Sequence, residues 1–313
     1  MVIPAYNDFK RLDRCLDALG NQTVRDRLEI IVSLDGGESL PGRMRAKADK
    51  IIEGRHEGPA AARNRGWKGT DGNPILFTDS DCVPDPGWAE EMLNVLTAGA
   101  DAVKGVYSFG GGKIIQRLAQ VEFEERYRLL SKSDTIDMID TYSAGYRRGV
   151  LMEAGGFDET FPFPDHEDVD LSYRMAEEGY ILRFAPEAKV AHTHRDTWKT
   201  YLRMKFSRGR WRMKILRRFP RKTGTDSYTP ICMKIQILLC PLMLPALLLL
   251  PVNPLISVLW AAVFILTTIP LVLTAFRMDK LLVPVIPIFA FLRSCALFSG
   301  LCRGIFTSKG VNE

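Results

Sequence analysis

Along the first third of the chain, short apolar runs alternate with stretches that are apolar every third or fourth residue. The runs "VIPAY" (2–6), "LEIIVSLDGG" (28–37), "DKIIEG" (49–54), "NPILFTDSD" (73–81) and "ADAVKGVYSF" (100–109) are of strand length and edged by Gly, Pro, Asn or Asp. They read as buried strands. Between them, Asn7 or Asp8 is placed to cap a helix reaching Leu19. "GPAAARNRGW" (58–67) opens a helix with proline at its first position, and "PGWAEEMLNVL" (86–96) keeps a helical period. Strand–helix alternation of this kind predicts an α/β fold with a mainly parallel sheet. In such sheets the ligand sits beyond the carboxyl ends of the strands. The opening "MVIPAYN" reads directly as a strand, with nothing resembling a signal peptide before it.

The last third abandons this alternation. From Ile235 to Phe276 run 42 residues without a formal charge. A spanning helix needs about 20 apolar residues, so the run fits two antiparallel helices broken at "PVNP" (251–254). A third stretch, Leu281 to Cys302, is also long enough, but Arg293 sits in its middle. A central arginine opposes insertion by about 2.5–3.5 kcal/mol, so this stretch either crosses, lies in the interface or packs on the hairpin. Ahead of the tail, "YLRMKFSRGRWRMKILRRF" (201–219) spaces apolar residues between cations, the pattern of an amphipathic helix at a membrane surface. The expected organisation is a domain over 1–195, a basic juxtamembrane helix over 196–229, and a membrane region over 230–313 with two or three hydrophobic helices.

Charge sharpens this division. The net +5 of the 313 residues is unevenly spread. Residues 1–194 carry 24 Lys/Arg against 33 Asp/Glu, whereas residues 195–222 carry 12 against the single Asp196. Cations beside an apolar hairpin mark its cytoplasmic side and attract anionic lipid headgroups. The acidic domain is therefore expected in the cytoplasm, at the inner cell membrane. No nucleic-acid signature accompanies the basic belt, so no nucleic-acid partner is expected. The cysteines at 15, 82, 232, 240, 295 and 302 form no CxxC pair, which excludes a zinc ribbon or disulfide framework.

Candidate chemistry gathers at three places. Asp79 and Asp81 follow the apolar run Ile75-Leu76-Phe77. Two carboxylates at i and i+2 of an extended segment point the same way, and a hard divalent cation, Mg²⁺ or Mn²⁺, relieves their repulsion while gripping a substrate diphosphate. Asp35 ends another predicted strand and should face the same crevice. Arg63 and Arg65 stand early in the "GPAAARNRG" helix, where Arg63 offers a planar fork for phosphate or base. Finally, five of the six residues from Asp165 to Asp170 can ionise. Capping a helix needs one or two acids, and a carboxylate held among others can have a raised pKa and serve as a general base.

"VIPAYN", the strand ending in "LDGG", "GPAAARNRG", "DSD", "GGFDE" and "HEDVDLSYR" occur in this order over roughly residues 1–195. Together they resemble the family 2 glycosyltransferases, inverting enzymes of the GT-A fold. The resemblance implies a nucleotide-sugar donor, a UDP-sugar in the first instance, held around Pro4, Asp35, Arg63 and the Asp79/Asp81 pair. It implies metal binding at Asp79-Ser80-Asp81, with Asp81 the more direct ligand, and His192 or His194 as a further ligand. It makes Asp168 the catalytic base, supported by Glu167, Asp170 and Arg174. One position departs from the family pattern: Leu34 stands where the second strand usually ends in the first of two acids. The tail suits a lipid-linked or envelope glycan acceptor, or transfer to a polyprenyl phosphate. A non-catalytic membrane scaffold of the same fold is the contrasting expectation.

Overall fold

The computed structural model describes residues 1–109, 111–161 and 165–307. Phe163 and Pro164, which lead into the acid-rich stretch, lie outside the described residues. The chain divides into two compact units. One comprises Met1–Gly110 with Leu130–Thr193, the other Gly111–Leu129 with His194–Glu313.

In chain order the elements are β1 (Val2–Ala5), α1 (Phe9–Gly20), β2 (Ile31–Leu34), α2 (Gly42–Arg45), β3 (Lys50–Glu53), α3 (Pro59–Lys68), β4 (Ile75–Thr78), β5 (Cys82–Pro84), α4 (Trp88–Thr97) and β6 (Ala102–Ser108). There follow α5 (Ile114–Leu130), β7 (Ser143–Tyr146), α6 (Arg148–Glu153), α7 (Glu167–Glu177) and β8 (Leu182–His192). The tail holds α8 (Trp198–Arg218), α9 (Lys222–Thr225), α10 (Ile231–Leu239), α11 (Met243–Leu248), α12 (Pro254–Thr267), α13 (Ile269–Met278) and α14 (Ile286–Thr307).

The first unit is built on one sheet of order β3-β2-β1-β4-β7-β6-β8-β5. Four pairings are parallel (β1–β2, β1–β4, β2–β3, β6–β8) and three antiparallel (β4–β7, β6–β7, β5–β8), so the sheet is mixed. Every residue of β2 and β4 is buried, as their unbroken apolar runs require of strands covered on both faces. The caps follow the sequence. Asp8 accepts from Arg11 N at 3.2 Å to start α1, and Pro59 takes the first turn of α3 after Gly58, whose φ of 98° favours glycine.

One expected strand ends early. β4 stops at Thr78, and Asp79-Ser80-Asp81 turn the chain, closed by Cys82 N donating to Asp79 O at 3.0 Å. The two carboxylates therefore do not lie on an extended segment, and the period-2 argument for a shared direction does not apply to them. A second difference concerns the expected uninterrupted domain over 1–195. Helix α5 falls inside that span, yet residues 111–129 pack with the tail.

The second unit has its own apolar core, including Ile115, Leu118 and Val121 of α5, Tyr201 of α8 and Phe289 of α14. Within it stands a buried ionic knot. Glu122 accepts from Arg126 Nη2 (2.5 Å), Tyr201 Oη (2.6 Å) and Lys205 Nζ (2.7 Å), with Arg293 Nη1 at 4.0 Å. Burial alone would raise the Glu122 carboxyl, but Lys205, Arg126 and Arg293 hold it well below the usual range. Helix α8 packs on α14 backbone to backbone. A Cβ on Gly300 would fall on the Phe206 carbonyl, and one on Gly209 on that of Leu297. Two segments, Ile231–Leu248 and Lys280–Phe306, are helices long and apolar enough to cross a membrane, with mean hydropathies of 2.0 and 2.1. The pair α12 and α13, bent by 45°, makes a third if counted as one span. The break before α12 spans 249–253, at the expected "PVNP".

Candidate active site

The site sits in the first unit, beyond the carboxyl ends of β1, β2 and β4, and takes one strand end and one helix start from elsewhere in the chain. Pro4 lies in β1 opposite Ser33 of β2. Asp35, one residue past β2, is 5% exposed. Its carboxylate accepts from Glu57 N (3.0 Å) and Gly58 N (3.0 Å) and meets His56 Nδ1 at 2.9 Å. Asp35 thus fixes the turn into α3 and orients His56. The His56 ring stacks on Tyr6 with centroids 4.3 Å apart, and both rings keep solvent exposure.

Arg63 is the centre of the arrangement, at 3% exposure. Its Nη2 donates to Asp79 Oδ1 at 2.9 Å and its Nη1 to Glu167 Oε1 at 2.7 Å. One guanidinium therefore ties the strand-end acids to the start of α7. The fork expected to meet phosphate or base is spent on two carboxylates of the chain. Burial would disfavour its charge, but Asp79 and Glu167 raise its pKa further above the ordinary arginine value.

Asp168, next to Glu167, is half-buried. Its Oδ1 accepts from Val169 N at 2.8 Å. Burial first, then the charges of Glu167 and Asp140, push its pKa well above the usual carboxylate range, and Arg63 opposes them only in part. Asp140, whose place near the site no sequence motif signals, pairs with the buried Lys104. Lys104 Nζ also reaches Tyr142 Oη at 3.3 Å.

Asp79 and Asp81 point to different partners. Asp81 Oδ2 lies 3.3 Å from His192 Nε2, at the end of β8, and 3.7 Å from Arg11 Nη1. Burial works against the Asp81 charge, but His192 and Arg11 hold its carboxyl below the usual range. His192 is stacked on Tyr107 at 4.6 Å, and Tyr107 in turn on Tyr142 at 3.5 Å. His194 belongs to the second unit instead. It is buried, stacks on Phe123 at 5.3 Å and meets Gln120 Oε1 at 2.7 Å.

The remaining members of the acid-rich helix hold the fold together. Asp170 is fully buried and accepts from Arg174 Nε at 2.9 Å. Arg174 also donates to the carbonyls of Ala154 and Gly156, the latter at 2.6 Å. Asn64 of α3 grips the same turn through Phe157 N (3.0 Å) and Phe157 O (2.8 Å). The "ARN" and "GGFDE" stretches are thus two sides of one contact.

Among the described residues, no group of three or more His, Cys, Asp or Glu side chains is arranged to hold a metal ion. Asp81 with His192 nevertheless supplies one hard oxygen and one imidazole nitrogen, a set that suits a divalent cation completing its shell with phosphate oxygens and water.

A mixed sheet of this order, flanked by helices and with acids at the turn after β4, has the architecture of the GT-A fold. Solved structures agree on the fold. The mannosyltransferase PcManGT from Pyrobaculum calidifontis, in complex with GDP-Man and Mn²⁺, superposes with a TM-score of 0.63 at 17% identity, over 98% of this chain and 86% of that one. Residues 1–155 match the model described as glycosyl transferase family 2, and the chain belongs to that family of glycosyltransferases. Glycosyltransferase AglE of Haloferax volcanii is 28% identical over 211 residues, 62% of this chain and 66% of that protein. The pre-mycofactocin glycosyltransferase of Mycobacterium tuberculosis is 30% identical over 237 residues, 72% of this chain and 48% of that one. The chain thus spans between about half and two thirds of the length of these two curated relatives.

Proposed function

We propose that the protein is a membrane-anchored inverting glycosyltransferase that moves a sugar from a nucleotide-sugar donor to a lipid-linked or envelope glycan acceptor. The observation that carries this reading is the Arg63 bridge. It sets Asp168, a carboxylate with a raised pKa, at a fixed offset from the Asp79/Asp81 turn. A base and a diphosphate-holding turn joined by one buried cation suit a single displacement at the anomeric carbon.

In this reading Asp168 takes the proton of the acceptor hydroxyl, and its raised pKa makes it a better proton acceptor than an ordinary aspartate. Glu167 and Arg63 keep α7 and the turn in register. The Tyr6–His56 stack offers the donor's base an aromatic platform, oriented by Asp35. A divalent cation, Mg²⁺ or Mn²⁺, would be held by Asp81 and His192, and when bound would neutralise charge on the departing diphosphate. Tyr107 steadies the His192 ring from its face. That PcManGT is seen with GDP-Man and Mn²⁺ supports both the donor class and the metal. We place the first unit in the cytoplasm at the inner membrane, on the strength of the cations flanking the apolar hairpin.

The test is turnover by detergent-solubilised protein with Mn²⁺ across UDP- and GDP-sugars, with glycan extract or a polyprenyl phosphate as acceptor. Metal-dependent transfer from one donor, lost in Asp168→Asn and Asp81→Asn, is the expected result. Donor binding without transfer to any acceptor, unchanged in both variants, would overturn it in favour of a scaffold of the same fold.

A further inference from the structure

By length and composition, Lys280–Phe306 qualifies as a membrane span. Its packing contradicts that reading. The face formed by Ile286, Phe289, Ala290, Arg293, Leu297 and Gly300 is buried within the second unit. Arg293, near the middle, is 1% exposed and donates through Nη2 to Gln236 Oε1 of α10 at 2.7 Å, with Glu122 of α5 at 4.0 Å from Nη1. The part of α14 beyond Arg293 lies against α8. The Gly300 and Gly304 backbones touch the α8 backbone at Phe206 and Arg210, and Arg217 Nη2 donates to Ile305 O at 3.0 Å.

Helix α8 is the most basic element in the chain. Between Phe206 and Arg217 it carries Arg208, Arg210, Arg212, Lys214 and Arg217. Lipid hydrocarbon opposes each cation placed at its centre. A helix fastened along that stretch cannot sit in hydrocarbon without carrying those cations with it. The contact extends to the start of α14 as well, where the Phe289 ring meets Trp198 and Tyr201 of α8 with centroids 6.2 and 5.3 Å apart. No stretch of α14 long enough to cross a hydrocarbon core of about 30 Å is therefore left clear of the basic helix.

The apolar surface lies elsewhere. From Pro241 to Val263 most residues are exposed, Leu248, Val252 and Leu255 among them at 69%, 79% and 71%. This is the surface that a lipid environment covers, at the tip and both legs of the hairpin from α10 to α13.

We infer that the bilayer is crossed only by the hairpin 231–278, in two passes, while α14 stays with α8 at the headgroup layer, where the cations of α8 meet anionic phospholipid. Residues before 231 and after 278 then lie on the same side of the membrane. The inference rests on the membrane anchoring proposed above and is independent of the sugar chemistry.

The test is thiol labelling of the full chain in right-side-out and inverted membrane vesicles. The background carries Ser at positions 232, 240, 295 and 302. Single variants are Asp71→Cys, at a fully exposed site of the first unit, Val252→Cys at the tip and Phe306→Cys at the end of α14. A membrane-impermeant maleimide is expected to label Asp71→Cys and Phe306→Cys in the same vesicle orientation and Val252→Cys in the other. Phe306→Cys labelled opposite to Asp71→Cys would establish a third crossing and overturn the inference, as would Val252→Cys labelled on the same side as both. A reporter fused to the C-terminus of the unsubstituted chain repeats the comparison without substitutions. Carbonate-washed membranes are assayed first. Release of the protein into the soluble fraction would overturn the anchoring itself, an outcome separable from a third crossing.

Discussion

Replacing Arg63 by alanine is the sharpest perturbation that the site offers. Two ion pairs are lost at once, and they differ in worth. Asp79 is 33% exposed, so its share is that of a surface pair, about 0–1 kcal/mol. Glu167 is 3% exposed and would be left buried without its cation. Stranding a buried charge in this way costs about 3–5 kcal/mol. For a unit of some 150–250 residues, each kcal/mol moves the melting temperature by about 2–4 °C. Arg63→Ala should therefore lower the melting temperature of the solubilised protein by about 6–20 °C, read by differential scanning fluorimetry in detergent. Adding Glu167→Gln to it removes the stranded charge and should recover a large part of the loss, a coupling of about 0.5–3 kcal/mol in a double-mutant cycle. A single-variant shift under about 2 °C, or losses that simply add in the double variant, would refute the claim that this buried pair holds α7 to the strand-end turn.

Three further outcomes follow from the same geometry. Because the Asp140 charge helps to raise the pKa of Asp168, Asp140→Asn should lower it and move the acidic limb of kcat/KM against pH to lower pH. An unmoved limb would remove Asp140 from the environment of the base. Asp81→Asn should weaken Mn²⁺ binding by at least the roughly 10–100-fold typical of losing an outer-shell partner, read as the higher Mn²⁺ concentration needed to support donor binding. Gly300→Ala should destabilise by about 1–3 kcal/mol, since its Cβ meets the Phe206 carbonyl, whereas Gly149→Ala in α6, where nothing lies within 4 Å, should gain up to about 1 kcal/mol. Equal effects in melting temperature would contradict the close α8–α14 contact.

The strands of the first unit were legible because fully covered strands need unbroken apolar runs, and "IIVSL" and "ILF" are such runs. The placing of Asp79 and Asp81 after a buried strand was legible too, but not their divergence. A turn that begins at Asp79 looks like continued strand when Thr78 precedes it. The partner of Arg63 was out of reach. Glu167 is 104 residues away, and no local pattern distinguishes an arginine that meets a ligand from one that meets the chain's own carboxylate. Residues 110–142 were expected only as part of the 1–195 domain, with no element assigned to them. Helix α5 interleaves Gln116, Gln120, Glu122 and Arg126 with its apolar positions, because its buried side holds a polar knot as well as a core. Charge patterning showed the basic belt, but not that its glycine would press on a second helix.

The excursion of α5 into the second unit bears on how this protein can be handled. A version cut after residue 195 looks, by sequence, like a clean soluble enzyme. It would keep Glu122 and Arg126 and delete Tyr201, Lys205 and Arg293, three of the four groups gathered around that carboxylate. It would also strip the cover from Ile115, Leu118 and Val121. Tail removal therefore wounds the fragment from within, and a graft of this tail onto another protein must carry residues 111–129 along with it.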